Sequence, residues 1–249
     1  MPGPRRSDRY GRRVPGAALS ASGLGFRYGR GPWLLDGVSL TVPPGGLLRV
    51  RGGNGTGKST LLRLLAGPVA PRRGSVVRTG PVAYLPQQTG DLPAIPPQRL
   101  ISLLSGGALD GVPDVRADEL SRGWQRRVLL AAVLGLPCRI VVLDEPTAGL
   151  DAAAVAALAD RLTARLAAGD AVVLAEHEAL PLAGGEVLDL GGAAPVDLVE
   201  VVLGGTGSFH GATASGGRLH LVVPPAERDA LLLAALRQGW SVLAVGVHR

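Results

Sequence analysis

The spacing of apolar positions divides the chain into short runs of strand length and longer stretches with helical spacing. Runs at residues 33–42, 46–51 and 139–143 predict strands. The second run contains GLLRVR and leads into a glycine-rich loop, and the following TLLRLLAG has apolar residues at helical spacing up to Gly67. Strands that alternate with a helix predict an α/β fold, and the order strand, loop, helix is typical of phosphate-binding loops.

The longest apolar stretch, VLLAAVLGLPCRIVVL, is interrupted by Pro137 and Arg139 and ends at an acidic pair. A membrane-spanning helix needs about 20 predominantly apolar residues in succession. We therefore expect a helix followed by a strand here, and no membrane span. Cys138 lies inside this stretch, so we expect it to be a core residue without a chemical role.

The C-terminal part of the chain has a pattern of its own. The stretches LVEVVL and RLHLVVP predict two strands, PAERDALLLAALRQG predicts an amphipathic helix, and WSVLAVGV predicts another strand. We interpret residues 195–249 as a small appended α+β unit, in which no catalytic group of residues stands out.

Composition adds a formal net charge of +6 and a basic N-terminus to this picture. Residues 1–18 are predicted to form a flexible basic tail, because they hold five arginines by residue 13 and lack the apolar core of a secretory signal. Aromatic residues are 3% of the chain, too few for the base-stacking surfaces of nucleic-acid-binding proteins. No specific nucleic acid partner is therefore expected.

Residues 52–60 read GGNGTGKST and match the phosphate-loop spacing G-x-x-x-x-G-K-S/T. Glycines let the backbone N–H groups wrap a phosphate, and the following helix adds positive potential. Lys58 is the only lysine among the 26 lysine and arginine residues. Its compact ammonium suits a position between two phosphates better than a planar guanidinium would. The residues predicted to contact nucleotide here are Gly52, Gly53, Asn54, Gly55, Thr56, Gly57, Lys58, Ser59 and Thr60.

An acidic pair, Asp144 and Glu145, follows the predicted strand RIVVL. A carboxylate at the end of a strand can hold the water shell of Mg²⁺, which the hydroxyl of Ser59 would ligate directly. The adjacent Glu145 can polarise the attacking water. A nucleotide and Mg²⁺ are therefore the expected ligands of this part of the chain.

The order of the motifs GGNGTGKST, YLPQ, LSRGWQRRV, VVLDEPTAGLD and AEH resembles that of ATP-binding-cassette (ABC) ATPases over residues 19–190. The resemblance implies a P-loop NTPase fold with a RecA-like core, an antiparallel β subdomain and a helical subdomain. Only 144 − 58 = 86 residues separate Lys58 from Asp144, so we expect the helical subdomain, about residues 89–135, to be shortened. Residues 89–119 leave room for one or two short helices.

The resemblance also implies roles for single residues. Tyr28 resembles the aromatic that stacks on adenine. Gln87 resembles the glutamine that senses Mg²⁺ and the γ-phosphate, with the adjacent Gln88 as the alternative. His177 resembles the switch histidine that donates a hydrogen bond to the γ-phosphate. The catalytic residues so implied are Lys58, Gln87, Glu145 and His177, and the metal ligands are Ser59, Gln87 and Asp144.

Three further residues resemble groups that reach across a dimer of cassettes. Ser121 and Gly123 match the signature motif that contacts the other subunit's ATP, and Asp151 matches an aspartate at the dimer interface. The family pattern LSGGQ is here LSRGW, with Arg122 and Trp124 at the altered positions. We expect these two residues to make the segment stiffer, bulkier and more positive, and so to weaken the signature.

The predicted function is that of the ATP-hydrolysing subunit of a bacterial ABC transporter. The resemblance implies a homodimer, or a heterodimer with another cassette, that closes around Mg-ATP and drives separate membrane permease subunits. Export is favoured over import, because the C-terminal unit is similar to the extensions of drug and peptide exporter ATPases. The expected location is cytoplasmic and peripheral, on the inner face of the cell membrane.

Two alternatives stay open at this point. One is a soluble cassette ATPase that acts on ribosomes or DNA, although the tandem cassettes and long coiled coils typical of such proteins are absent from the sequence. The other is a cassette that binds ATP but scarcely hydrolyses it, whose altered signature is tolerated beside a competent partner.

Overall fold

A computed structural model describes most of the chain, namely residues 14–29, 31–176, 180–191, 199–206, 208–209, 212–213, 217–223 and 225–247. In chain order the elements are β1 (Leu19–Phe26), β2 (Leu35–Val42), β3 (Leu47–Arg51), α1 (Lys58–Ala66), β4 (Arg73–Arg78), β5 (Val82–Leu85), α2 (Pro97–Ser105), a 3-10 turn (Ala117–Glu119), α3 (Arg122–Gly135), β6 (Ile140–Asp144), α4 (Ala152–Ala167), β7 (Ala171–Ala175), β8 (Glu186–Asp189), β9 (Val199–Gly204), β10 (Ser208–Phe209), β11 (Ala212–Thr213), β12 (Arg218–Val223), α5 (Pro225–Arg237) and β13 (Ser241–Val247).

Five parallel strands form the central sheet, in the order β5-β6-β7-β3-β8. Every residue of β6 and β7 is buried, because both faces of the sheet are covered. Along β6, Ile140 and Val142 pack in one apolar cluster with α1, whereas Val141 and Leu143 pack in a second cluster with α3 and α4. The predicted α/β architecture is confirmed.

A second sheet, β2-β1-β4, is antiparallel and packs in the same apolar cluster as α1. The predicted strand at residues 33–42 begins only at Leu35. The sequence pattern did not reveal β1, whose pairing with β2 shifts register between Ala21 and Leu24 and again between Leu24 and Phe26. These irregularities interrupt the alternation by which a strand is recognised.

The helix after the glycine-rich loop ends where the sequence predicts. The backbone N–H of Gly67 caps α1 by donating to the carbonyl of Arg63. The leucines of α1 are completely buried between the two sheets, and these are Leu61, Leu62, Leu64 and Leu65.

Residues 89–119 contain α2 and the 3-10 turn, in agreement with the prediction of one or two short helices. α3 begins at Arg122, because the side chain of Ser121 accepts a hydrogen bond from the backbone N–H of Trp124 and caps the helix. The two helices enclose a small apolar cluster of their own around Ile101 and Val128.

The C-terminal strands β12-β9-β13 form an antiparallel sheet that packs with α5 around Val201, Leu203 and Trp240. The predicted order of two strands, a helix and a strand is present, with the short β10–β11 pair as an addition. Of the predicted tail, residues 1–13 lie outside the described residues, whereas Ala17 and Ala18 are buried and the N–H of Ala18 donates to the carbonyl of Val42 at 2.9 Å. Among the residues that the structure describes, no helix combines the length and the apolar character needed to cross a bilayer.

Candidate functional site

The phosphate loop, residues 52–60, runs from the end of β3 into α1. Gly52 has φ 148° and Gly57 has φ 97°, backbone conformations that residues with a Cβ rarely adopt. A Cβ on Gly52 would also lie 2.6 Å from the hydroxyl of Thr56. The first and last glycines of the motif are therefore required by the path of the loop.

Lys58 is the first residue of α1, and its side chain folds back across the loop. Its Nζ donates hydrogen bonds to the carbonyl oxygens of Gly52 at 2.8 Å and Gly53 at 3.0 Å. Burial lowers the pKa of Lys58, and the nearby carboxylates of Glu145 and Asp144 oppose that shift. The ammonium is thus held at a fixed place in the loop by carbonyl groups.

One cleft opens beside the phosphate loop and contains most of the predicted site. We call it the phosphate-loop cleft, and it is lined by Leu34, Gly53, Asn54, Gly55, Gly57, Lys58, Ser59, Thr60, Gln87 and Glu145. Gln87 and Glu145 come from segments that follow β5 and β6, so the parallel sheet brings them to the loop.

Asp144 ends β6 and is 1% exposed, and it is linked to the cleft through Ser59. Burial raises the pKa of its carboxyl, whereas a hydrogen bond from the hydroxyl of Ser59 lowers it. Within the part of the chain that the structure describes, Asp144 Oδ1 has no hydrogen-bond partner although it is buried. A buried carboxylate oxygen without a partner beside a serine hydroxyl fits a cation that takes oxygen ligands.

Glu145 has a φ of 46°. Among the described residues, it is the only non-glycine residue with a positive φ. Its backbone N–H donates to the carbonyl of Ala175 at 2.9 Å, and its Oε2 accepts a hydrogen bond from Gln87 Nε2 at 2.7 Å. Gln88 lines only a neighbouring groove that also contains Arg122, whereas Gln87 lines both that groove and the phosphate-loop cleft. The geometry therefore favours Gln87 over Gln88 for the predicted role.

Tyr28 lies just after β1 and is connected to the loop through its hydroxyl, which is 2.9 Å from the hydroxyl of Thr60. Its ring packs edge to face on Phe26, with 5.0 Å between the ring centroids. Tyr28 is not part of the lining of the phosphate-loop cleft, so its stacking on adenine stays a prediction.

The signature segment, residues 120–124, lies at the start of α3 and does not line the phosphate-loop cleft. Gly123 approaches the backbone closely, since a Cβ there would lie 2.8 Å from the carbonyl oxygen of Gly149. Arg122 is exposed. The ring of Trp124 is half-buried against the apolar cluster of α2 and α3, with the Arg127 guanidinium 4.8 Å from its centroid.

Asp151 caps α4 by accepting a hydrogen bond from the N–H of Ala154, and its other carboxylate oxygen pairs with Arg127. Like Ser121 and Gly123, it lies outside the lining of the phosphate-loop cleft. The remaining predicted catalytic residue, His177, lies outside the described residues.

Arg126 was not predicted from the sequence, yet it connects two segments of the site. Its guanidinium donates to the carbonyls of Pro86 at 2.7 Å and Gln87 at 3.3 Å, and to those of Asp144 at 2.5 Å and Glu145 at 2.9 Å. Burial lowers the pKa of Arg126, and the nearby Asp144 opposes the shift. The sequence offered one indication of this role. Arg126 lies one helical turn before Leu130, so helical spacing places it on the buried face of α3.

Arg49 and Glu176 form a second buried group that the sequence analysis did not single out. Arg49 lies in β3, and its Nη1 donates to both carboxylate oxygens of Glu176, at 2.6 and 2.9 Å. The sequence indicated only half of this pair. A charged residue such as Arg49 inside a buried strand requires a buried partner, but the strand itself does not tell which residue that partner is.

Comparison with known proteins identifies relatives of this arrangement. A family model described as ABC transporter matches residues 35–148. The cytochrome c biogenesis ATP-binding export protein CcmA of Bordetella bronchiseptica is 38% identical over 190 residues, covering 64% of this chain and 82% of that protein. Its counterpart from Cupriavidus necator is 37% identical over 195 residues, covering 65% and 85%.

Solved structures share the fold. A dimeric bacterial ABC transporter cassette, MJ0796, superposes with a TM-score of 0.59 at 21% identity, covering 70% of this chain and 95% of that one. An ATP-binding subunit of an ABC transporter gives a TM-score of 0.57 at 23% identity, covering 64% and 79%. The predicted P-loop ABC ATPase fold is confirmed.

Replacement of Asp144 tests the cost of its buried charge. Because burial raises its pKa, the charged carboxylate weakens folding above that pKa, and the effect fades as the pH falls to about 3, where the group is mostly neutral in both states. We expect Asp144→Asn, without nucleotide or divalent cations, to be more stable than the parent at pH 7 by about 1 kcal/mol, with the difference shrinking to near zero at about pH 3. Urea unfolding at both pH values measures this.

The matched control is Asp151→Asn. A hydrogen bond from the backbone N–H of Ala154 lowers the pKa of Asp151, and so does its contact with Arg127. Removal of this charge should therefore bring no gain in stability at pH 7. A fall in the stability of Asp144→Asn at pH 7 would contradict the interpretation.

Proposed function

The chain belongs to the ABC transporter family as an ATP-binding and ATP-hydrolysing subunit, and we propose that the phosphate-loop cleft is its catalytic site. The observation that carries the proposal is the convergence of Lys58, Ser59, Gln87 and Glu145 on that single cleft. The neighbouring Asp144 supplies a buried carboxylate oxygen that a ligand would complete.

Lys58 is suited to phosphate because of the number of its donors. An ammonium has three N–H groups, and the carbonyls of Gly52 and Gly53 account for two of them. The third would contact a phosphate oxygen of ATP, with the backbone N–H groups of the loop around it. A guanidinium could not cross the loop in this way, because its donors lie in a wide plane.

The residues that would hold Mg²⁺ are Asp144, Ser59 and Gln87. Asp144 Oδ1 is the orphaned oxygen, the Ser59 hydroxyl lies against the same carboxylate, and the Gln87 amide reaches into the cleft. The cation would neutralise the negative charge of the phosphates.

Glu145 is proposed as the general base that orients and activates the attacking water. Its side chain accepts a hydrogen bond from Gln87, so the two residues form a connected pair at the cleft. Arg126 holds the backbone carbonyls of both residues and thereby fixes their separation. His177 is proposed to donate a hydrogen bond to the γ-phosphate, and Tyr28 to stack on adenine.

The signature residues are proposed to act on the ATP of a second cassette. Ser121, Gly123 and Asp151 lie outside the lining of the phosphate-loop cleft of their own chain, as residues that serve a partner would. A head-to-tail homodimer and a heterodimer with another cassette both satisfy this arrangement.

We propose export as the direction of transport, because the CcmA relatives are export proteins of cytochrome c biogenesis. In this proposal residues 19–190 form the ATPase domain, residues 195–249 form an appended unit, and the chain binds separate membrane permease subunits at the inner face of the cell membrane. Reconstitution of the chain with those subunits in vesicles, followed by ATP-dependent movement of substrate, tests the direction.

Replacement of Glu145 tests the hydrolytic site. We expect Glu145→Gln to bind ATP as the parent does but to hydrolyse it about 100-fold more slowly, because the amide cannot take up a proton. Steady-state phosphate release and light scattering, which detects an ATP-dependent dimer, measure the two effects. Glu119→Gln is the control, since its exposed carboxylate pairs only with Arg116 among the contacts described. Parent-like turnover in Glu145→Gln would remove the general-base assignment.

The two altered signature residues should behave differently. Arg122 is exposed at the start of α3, so Arg122→Gly should leave the fold intact and raise ATP turnover several-fold, by restoring a slim, uncharged surface for the partner's phosphates. Trp124→Gln should instead lower the free energy of unfolding by about 1–2 kcal/mol, because the ring is half-buried.

Turnover with saturating ATP and urea unfolding of both single variants separate these effects. If Arg122→Gly hydrolyses ATP no faster than the parent, the arginine is accommodated or useful, and the interpretation of a weakened signature is wrong.

A further inference from the structure

One buried arginine of α3, Arg126, reaches both backbone segments from which the cleft residues Gln87 and Glu145 project. It is 6% exposed. Its Nη1 donates to the carbonyls of Pro86 and Gln87. Its Nη2 donates to those of Asp144 and Glu145. Within the described part of the chain its Nε has no hydrogen-bond partner, so the side chain holds these carbonyls through its two terminal nitrogens.

The shape of the guanidinium gives each segment its own donor. The two terminal nitrogens lie in one rigid plane, so the segment after β5 and the end of β6 are held at a separation that this group sets. A lysine ammonium is a single point at the end of a flexible chain. Lysine at position 126 would therefore keep the charge but lose the bridge between the two segments.

The backbone of Glu145 depends on contacts of this kind. A φ of 46° is unfavourable for a residue with a Cβ and persists where the surrounding contacts hold it. The carbonyls of Asp144 and Glu145 lie at the two ends of this torsion, and both accept from the same nitrogen of Arg126. Arg126 thus holds the conformation that directs the Glu145 side chain toward Gln87.

Arg126 also belongs to the helix that begins with the signature segment. α3 is continuous from Arg122 to Gly135, so Arg126 moves with the signature residues at its start. That start packs closely on the loop after β6, since a Cβ on Gly123 would lie 2.8 Å from the carbonyl oxygen of Gly149. The seating of α3 and the placement of the cleft segments are therefore connected.

We propose that Arg126 is a positioning residue for ATP hydrolysis, through which the seating of α3 determines the placement of Glu145 and Gln87. The inference rests on the proposed role of Glu145 as general base. Among the contacts described, Arg126 meets carbonyls outside the phosphate loop. Its loss should therefore slow the reaction step more than it weakens ATP binding.

Arg126→Lys in the full-length protein tests the bridge. We expect kcat to fall by about tenfold or more and KM for ATP to change by less than about threefold, because the ammonium cannot hold both segments. Steady-state ATP hydrolysis with Mg-ATP measures both constants.

A double-mutant cycle with Glu145→Gln tests whether Arg126 acts through the general base. The combination of Arg126→Lys with Glu145→Gln should hydrolyse ATP within about twofold of the rate of Glu145→Gln alone. Light scattering should detect the ATP-dependent dimer to the same extent in both, because nucleotide binding does not depend on the bridge. Losses of kcat that multiply, or a dimer that disappears with Arg126→Lys, would overturn the inference.

Arg165 provides a matched control for the loss of stability. Its Nη1 and Nη2 donate to the carbonyls of Leu136 at 3.3 Å and Cys138 at 3.1 Å, before the start of β6 and at the opposite end of that strand from Asp144. Arg165→Lys should lower the free energy of unfolding in urea but keep kcat within about twofold of the parent. A loss of kcat as large as that of Arg126→Lys would overturn the inference.

A second variant separates positioning from folding. Arg126→Met removes the charge altogether, so no ammonium is left buried with too few partners. We expect this variant to unfold cooperatively in urea and to have a kcat as low as that of Arg126→Lys. Parent-like kcat in either folded variant would contradict the proposed role of Arg126.

The inference and the proposed function fail in different ways. If Glu145→Gln hydrolyses ATP like the parent, the proposed hydrolytic site is wrong, whatever the variants of Arg126 do. If Glu145→Gln is slow and Arg126→Lys is like the parent, the site stands and positioning by Arg126 is overturned.

Discussion

The structure depends on keeping several charged groups inside an apolar parallel sheet. Strands β6 and β7 are buried on both faces, yet the chain places Lys58, Arg126, Asp144 and the Arg49–Glu176 pair at or near their carboxyl ends. An unpaired buried charge is costly, so each group needs a fixed partner. Backbone carbonyls supply most of these partners, because the strand ends and loops expose carbonyls that the sheet itself does not use.

Among these charged groups, the atoms that lack a hydrogen-bond partner lie at the candidate site. Lys58 and Arg126 donate to backbone carbonyls, and Glu176 contacts both Arg49 and a backbone N–H. Among these groups in the described part of the chain, Asp144 Oδ1 and Arg126 Nε are buried without a hydrogen-bond partner. Asp144 Oδ1 is the one that belongs to an anion, and burial raises the pKa of that carboxyl. A buried carboxylate oxygen without a partner is electrostatically suited to a cation, and without that ligand its burial lowers the stability of the fold.

Local features were predictable from the sequence, whereas contacts between distant segments were not. The phosphate loop and the end of α1 at Gly67 depend on consecutive residues, so spacing alone predicts them. Arg126 meets carbonyls about 40 and 18 positions away, and Arg49 meets Glu176 127 positions away. Helical or strand periodicity tells which face a residue lies on, but not which carbonyl it meets there. The environments of the two altered signature residues were also hidden in the sequence: Arg122 and Trp124 are roughly 200° apart around α3, so one is exposed and the other half-buried.

The same geometry constrains how the signature segment can communicate with the cleft. The first turn of α3 carries Arg122 and Gly123. Three residues further along the helix, Arg126 contacts the carbonyls of both Gln87 and Glu145. A displacement of α3 relative to the sheet must therefore break these contacts or move the two cleft residues with the helix. Breaking them would leave a buried guanidinium without partners, which costs more than a small shift of two loops whose carbonyls it holds. The lower-energy response is for the segments to move together, so a change at the face offered to a partner reaches Gln87 and Glu145 through one side chain.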